Sequence, residues 1–436
     1  MNTKLEDIFG VSSKAVLSYV ERDTVDKSFI EALKSEKQII VYGSSKQGKT
    51  ALVSKYVKYD KNVVVSLSPK SKILDIYSSI LRQAGVTIQN NYSESTAREA
   101  TLGVVGKFKA MFPLIGSTEV EGKNELKSNV SKDYEYEEVP FNLSLPQDIS
   151  EILKKVKFRQ LIILENFHYL DDDIQKEFAY DLRSFQEMGI RFIILGVWRE
   201  KNKMVQFNGD LLDRIEEIPV EPWLEEDFIR VAQKGAEQLS IVFPQELLNE
   251  CHDVSFKSIG VLQEILKEIC ISAGILEKQK VLTHISRNPH LLNAVTKKAD
   301  DYLVRHQRAL EAIASGNSNS STSSQQGLLP LFLPYYLIKV ILESGYEGLA
   351  NGMKRSVLQA KIQDIHHRAN DVRASDMSNL LYSLAKLQNQ KTISPPIIDY
   401  DRNTKYLQIV DSTFYFFLKN ADLTEILQEL PSPLDQ

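Results

Sequence analysis

One octapeptide constrains this chain more than any other feature. Gly43-Ser44-Ser45-Lys46-Gln47-Gly48-Lys49-Thr50 satisfies G-x-x-x-x-G-K-[ST] at every fixed position. It follows an apolar, β-branched run over 38–42 and leads into a helix beginning near Thr50. Gly43 and Gly48 let the backbone curl so that successive N–H groups point at phosphate oxygens. Lys49 would bridge the β- and γ-phosphates, and the Thr50 hydroxyl would complete a Mg2+ shell. The motif predicts ATP or ADP with Mg2+, held on Gly43 to Ala51.

The surrounding pattern predicts the layer that carries this loop. Short apolar runs recur at 62–67, 161–164 and 191–197, with helical stretches between them at 72–83 and 174–186. Apolar strands alternating with helices predict an α/β fold, a parallel sheet covered by helices on both faces. The rhythm breaks between Gly85 and Asp148, where 62 residues intervene. Alternation at 107–112 predicts a half-exposed strand there. An insertion of hairpins or short helices over about 86–148, with an acidic patch at 133–138, is expected, and a partner-docking surface is the alternative reading of it.

At 436 residues the chain exceeds one ordinary core. Residues 1–37 precede the phosphate-loop core at 38–222. A helical lid or adaptor is expected over 223–314, then a Ser/Asn-rich flexible linker at 315–327. Within 328–436 three helical stretches (331–343, 353–366, 374–390) precede two strand-like runs, 397–400 and 406–418. That order predicts a winged helix, with Tyr406, Phe414, Tyr415, Phe416 and Phe417 in the core of its wing.

Composition excludes several classes. The net charge of −5 gives no global attraction to nucleic acid. Two cysteines, Cys251 and Cys270, rule out a disulfide framework and a Cys-based zinc site. No ligand spacing joins the histidines, and His366-His367 reads as a solvated helix face. The first seventeen residues lack an apolar core, and the longest charge-free apolar run, 328–338, is too short to span a bilayer. A cytoplasmic protein with no membrane segment is expected.

Candidate chemistry beyond the loop rests on strand ends. After 161–164 comes Glu165-Asn166, where an acid would hold Mg2+. Glu165 can do so through water or can orient the attacking water. Asn166 cannot act as a base but can position water by hydrogen bonds. Slow, switch-like turnover follows from that pair. Asp171-Asp172-Asp173 suits a helix N-terminus. Arg199, after the run at 191–197, is either a γ-phosphate sensor or a surface arginine paired with Glu200. Arg214, before the strand at 215–220, is either an arginine finger reaching a neighbouring subunit or a solvated arginine.

In this order the pieces resemble the AAA+ and STAND branch of P-loop ATPases, particularly origin-recognition-like and bacterial defence or mobile-element ATPases. Tyr19-Val20-Glu21-Arg22 before Asp26 is similar to the short motif that packs near adenine in this group, so the resemblance adds Tyr19 and Arg22 to the nucleotide site. It covers about 16–273. The group's lid carries an arginine after a glycine, whereas here Ser258-Ile259-Gly260-Val261-Leu262-Gln263 has none. That departure favours a switch over a motor. The resemblance implies a homo-oligomer and nucleotide-dependent change of state.

Three functions are expected from these readings. The first is an ATP-binding, Mg2+-dependent switch ATPase acting with a protein partner, an effector, in antiviral defence or a mobile element. The second is a DNA-binding regulator or loader whose helix at 376–390 presents Ser378, Asn379, Ser383, Lys386, Gln388 and Asn389, flanked by Arg373 and Lys391. Residues 330–436 carry eleven Lys and Arg against twelve Asp and Glu, so the basic face that DNA requires is not provided by net charge. The third is a nucleotide-binding scaffold that does not hydrolyse.

Overall fold

The computed structural model describes residues 3–11, 16–90, 107–113, 136–286, 289–316 and 329–434. The inner part of the insertion, residues 133–135 of its acidic patch, and the linker beyond Gly316 lie outside them. From the start of the chain, α1 (Asp23–Lys34) precedes β1 (Gln38–Gly43), α2 (Lys49–Tyr56), β2 (Val63–Ser66) and α3 (Ile73–Gln83). The insertion contributes β3 (Thr87–Asn90), β4 (Lys107–Pro113) and β5 (Tyr136–Asn142), and α4 (Pro146–Lys155) returns the chain to the sheet. Then come β6 (Ile162–Glu165), α5 (Asp172–Glu187), β7 (Phe192–Val197), α6 (Lys203–Phe207) and β8 (Ile215–Pro219).

Strands β2, β6, β7, β1 and β8 lie in that order in one five-stranded, wholly parallel sheet. Its strands are nearly continuous apolar runs because both faces are covered. Ile39, Val41, Ile163 and Ile193 pack on one face with Phe29 and Leu52 from α1 and α2. Ile40, Ile162, Leu164 and Ile194 face Tyr77, Ile152, Phe178 and Leu182 from α3, α4 and α5 on the other. The α/β expectation therefore holds. In the insertion, β4 pairs antiparallel with both β3 and β5, which places the alternating run at 107–112 in a small separate sheet.

The lid comprises α7 (Glu225–Leu239), β9 (Ile241–Val242), α8 (Gln245–Val254), α9 (Ile259–Ser272) and β10 (Thr283–His284). The beginning of the chain joins this unit, since Leu5, Ile8 and Phe9 are buried in the same core as Phe228, Val231 and Leu262. A Cβ on Gly235 would meet the Phe9 ring at 2.2 Å, so that helix position needs glycine for the close approach. Helix α10 (His290–Ala314) then runs from the lid core, through Ala294 and Tyr302, into the C-terminal core, through Ala309, Leu310 and Ile313.

The C-terminal unit contains α11 (Leu333–Leu349), β11 (Met353–Lys354), α12 (Arg355–Ile365), α13 (Ala374–Tyr382), α14 (Leu384–Gln390), β12 (Ile398–Asp401), β13 (Tyr406–Ile409), α15 (Ser412–Asn420) and α16 (Leu423–Glu429). Its strands form an antiparallel sheet in the order β11, β13, β12. Two expectations about it fail. The run 406–418 is a strand only to Ile409, because the Asp411 carboxylate accepts from the Thr413 N–H and caps a new helix. Phe414, Phe416 and Phe417 are thus core residues of α15 rather than of a wing. His366 also leaves the solvated helix face assigned to the pair: at the end of α12 it is buried, bonds the Leu331 carbonyl at 2.7 Å and packs tilted against Tyr336, whereas His367, just beyond it, stays exposed and stacks on His366.

Candidate nucleotide site

The phosphate loop lies at the C-terminal end of β1 and curls where its sequence allows. Gly48 is left-handed (φ 85°, ψ 17°), and Gly43 has φ 151° with Val220 only 2.6 Å from where a Cβ would stand. The Lys49 ammonium returns across the loop to the carbonyls of Gly43 and Ser44 at 2.9 and 2.6 Å. Burial pushes its pKa down to about 8, an effect that the nearby Glu221 and Glu165 carboxylates oppose. Glu221 also accepts from the Ser44 N–H at 2.6 Å. Thr50 and Ala51 occupy the first turn of α2.

Two strand ends meet this loop. Strand β7 separates β1 from β6, so the segment after Val197 lies between the phosphate loop and Glu165. Thr50 Oγ1 approaches Glu165 Oε2 at 3.4 Å, and the Tyr59 hydroxyl donates to Glu165 Oε1 at 2.5 Å. A hydroxyl beside a carboxylate is the hard oxygen set that Mg2+ takes, with water completing its shell. Asn166 follows in the left-handed region (φ 63°), a conformation its short polar side chain tolerates, and its amide donates to Ser66 Oγ at 3.4 Å. His168, one turn on, is buried, with burial and then the Lys49 charge lowering its pKa well below the usual histidine value.

The two arginines are placed differently. Arg199 is exposed beside Tyr415 of α15, opposing the upward push that burial gives that phenol. Its sequence neighbour Glu200 instead bonds Gln206 at 2.8 Å and the Arg402 N–H at 3.3 Å. Arg214 precedes β8 at the end of the sheet opposite the loop, where its carbonyl accepts from the Gln38 N–H. Its guanidinium pairs with Glu187 and Gln186, each at 3.2 Å.

Tyr19 and Arg22 are gathered by Asp26, whose carboxylate accepts from the Tyr19 hydroxyl at 2.6 Å, the Tyr56 hydroxyl at 2.9 Å and the Arg22 N–H at 2.8 Å. The Arg22 guanidinium lies 3.7 Å over the Trp223 ring and donates to the Val220 carbonyl at 2.8 Å. Trp223 closes against the loop: its indole N–H donates to the Gln47 carbonyl at 3.3 Å, and its ring is 3.5 Å from a Cβ built on Gly48. Sequence reasoning missed Trp223, Tyr59 and Glu221. The last two lack any local signal, whereas an aromatic following Pro222 at the start of the lid was a weak one.

The loop is also gripped from outside the sheet. The Ser45 N–H donates to the Val410 carbonyl at 2.7 Å, the Ser412 hydroxyl donates to the Ser45 carbonyl at 2.8 Å, and Gln47 Nε2 reaches Ser412 Oγ at 3.2 Å. From the lid, the Gly260 N–H donates to the Lys46 carbonyl at 3.0 Å, and a Cβ at 260 would fall 2.5 Å from that oxygen. The Lys46 ammonium extends over the Tyr302 ring of α10, 5.0 Å from its centroid. Behind Val410, buried Asp411 pairs with Arg305 at 2.6 Å, and His306 bonds Thr413 at 2.9 Å. One short loop thus touches the sheet, the lid and the C-terminal unit.

No protein-family model and no curated protein sequence matches the chain. Its shape is similar to that of several solved structures. A Walker-type ATPase of Pyrococcus abyssi, PABY2304, is 11% identical over 92% of this chain and 96% of that one, with a TM-score of 0.45. The ORC2 protein of Aeropyrum pernix, solved as ADPNP–ADP complexes, is 13% identical over 93% and 92%, with a TM-score of 0.44. The ORC1 protein of the same organism, solved with DNA, is 11% identical over 96% and 98%, with a TM-score of 0.39. Among the described residues no helix is long and apolar enough to cross a membrane.

Proposed function

We propose that this chain is an ATP-binding, Mg2+-dependent ATPase of the AAA+/STAND type that works as a nucleotide switch. The observation that carries this reading is the direct bonding of Ser45 and Gln47 to Val410 and Ser412. In this reading the loop reshapes around phosphates and changes its hold on the C-terminal unit, which would couple occupancy to domain position. In this reading the loop N–H groups and Lys49 hold the phosphates, and Thr50 and Glu165 hold Mg2+ through oxygen. Asn166 orients water, Arg199 senses the γ-phosphate, and Tyr19, Arg22 and Trp223 border the base. Mg2+ contributes charge neutralisation at the phosphates. Arg214, remote from its own loop, completes the site of a second copy in an oligomer.

The C-terminal unit is read as winged-helix-like, and its contacts favour protein docking over duplex binding. Asn389 donates to the Tyr169 carbonyl at 3.4 Å, Lys391 to Ser315 Oγ at 3.0 Å, and Gln388 is fully buried. Arg402, in the turn between β12 and β13, pairs with Asp172 at 3.2 Å. Several residues proposed to reach DNA are therefore engaged within the chain. A protein partner that acts as effector, as in antiviral defence, completes this reading. Phosphate release and nucleotide binding by wild type and Lys49→Ala, with and without duplex DNA and with mass followed by light scattering, test the reading. Lys49-dependent binding with slow turnover and a nucleotide-dependent change in mass is expected. Nucleotide binding that survives Lys49→Ala unchanged would contradict it.

A further inference from the structure

Tyr59 lies just beyond α2, in the 3-10 turn Tyr59–Lys61. Its hydroxyl donates to Oε1 of Glu165 at 2.5 Å, while Oε2 of the same carboxylate faces the Thr50 hydroxyl at 3.4 Å. A half-buried glutamate at a strand end has three side-chain torsions and several accessible rotamers. A short, charge-assisted bond from a ring partly buried against the sheet core removes most of that freedom. It also selects between the two oxygens: with Oε1 taken, Oε2 is the one left toward Thr50.

We propose that Tyr59 is a positioning residue for Glu165, whose phenol fixes the carboxylate so that Oε2 faces Thr50 and thereby sets the affinity of the site for the Mg2+ that accompanies nucleotide. This rests on the reading of Thr50 and Glu165 as the metal side of an ATP site. Tyr59 touches neither metal nor phosphate in this role. It acts through Glu165, as outer partners of metal ligands commonly do. A purely structural link between the turn after α2 and the end of β6 would leave Mg2+ affinity unchanged when the hydroxyl is removed.

The test is titration of the full chain with ATP in EDTA and then with Mg2+ at fixed ATP, in wild type, Tyr59→Phe, Glu165→Gln and the double variant. Tyr59→Phe is expected to bind ATP in EDTA like wild type and to need about tenfold more Mg2+ for half-saturation. Glu165→Gln retains an oxygen for the phenol but loses the charge, so it should also weaken the Mg2+ response, and the double variant should add little to it. Mg2+-dependent binding unchanged in Tyr59→Phe, or strictly additive effects in the double variant, would overturn the role of Tyr59 alone. ATP binding by wild type that ignores Mg2+ would overturn the metal reading of Thr50 and Glu165 and the role of Tyr59 with it. Should Tyr59→Phe melt early, the comparison of Glu165→Gln with Glu165→Asp decides. The shorter acid cannot meet both partners and is expected to lose Mg2+ affinity while keeping its charge, and wild-type Mg2+ affinity in Glu165→Asp would overturn the proposal.

Discussion

The backbone N–H of Ser45 donates to the carbonyl of Val410 across 2.7 Å, joining residues 365 positions apart. Beside it the Ser412 hydroxyl closes a second bond onto the Ser45 carbonyl. Ser412→Ala leaves that buried carbonyl short of a partner and costs about 1–2 kcal/mol. A modest fall in melting temperature is expected, together with faster release of a fluorescent ADP analogue in stopped-flow displacement. Unchanged release would show that the clamp does not govern the loop.

Asp411 anchors the same joint from behind. It is fully buried, pairs with Arg305 and caps α15 through Thr413. Asp411→Ala removes one member of a buried pair, for which about 3 kcal/mol is a reasonable scale given that Arg305 keeps some solvent. Thermal unfolding should show the loss, and limited proteolysis should release the C-terminal unit before the sheet domain is cut.

Lys49 supplies a pH signature. Its pKa is held near 8, so the ammonium is already charged below that pH and phosphate binding needs no added proton. Above pH 8 the free protein must take up a proton on binding, because phosphate favours the charged lysine. ATP affinity should therefore fall as pH rises from about 8 to 9.5, by as much as about tenfold per unit. Calorimetry in buffers of different ionisation enthalpy should show proton uptake on that limb and much less at pH 7.

Trp223 gives an optical one. The chain has two tryptophans, and Trp198 is fully buried against Tyr42 and Phe167. Trp223 lies over Arg22 and against the phosphate loop. Nucleotide should change the intrinsic fluorescence of wild type, and Trp223→Phe should abolish that change. Trp223→Ala should weaken ATP binding by about tenfold, through loss of ring contact and of the Arg22 stack.

The layer that carries the loop was legible because its signals are local. Continuous apolar runs of strand length between helical stretches specify a covered parallel sheet, and glycines at 43 and 48 specify the curl. The end of β13 was misread for an equally local reason: the apolar run from Tyr406 to Leu418 reads as strand unless the Asp411 cap on Thr413 is given weight. The grip on the loop was not legible at all. Ser45 meeting Val410 depends on how the C-terminal unit docks on the loop, and Tyr59 meeting Glu165 on how the turn after α2 packs beside the end of β6, and no spacing in the sequence encodes either. His366 was misplaced because a histidine in a polar pair carries no mark of the aromatic Tyr336 it will pack on, while the exposed His367 kept the place expected of it.

The coupling of loop to C-terminal unit is tested most directly by amide hydrogen exchange over 406–420. Wild type and Lys49→Ala would be compared without nucleotide, with ADP, and with ATP and Mg2+. The switch predicts that exchange at 410–413 differs between the ADP and ATP states of wild type and is indifferent to nucleotide in Lys49→Ala. Equal exchange in every state of wild type, with nucleotide bound, would contradict it.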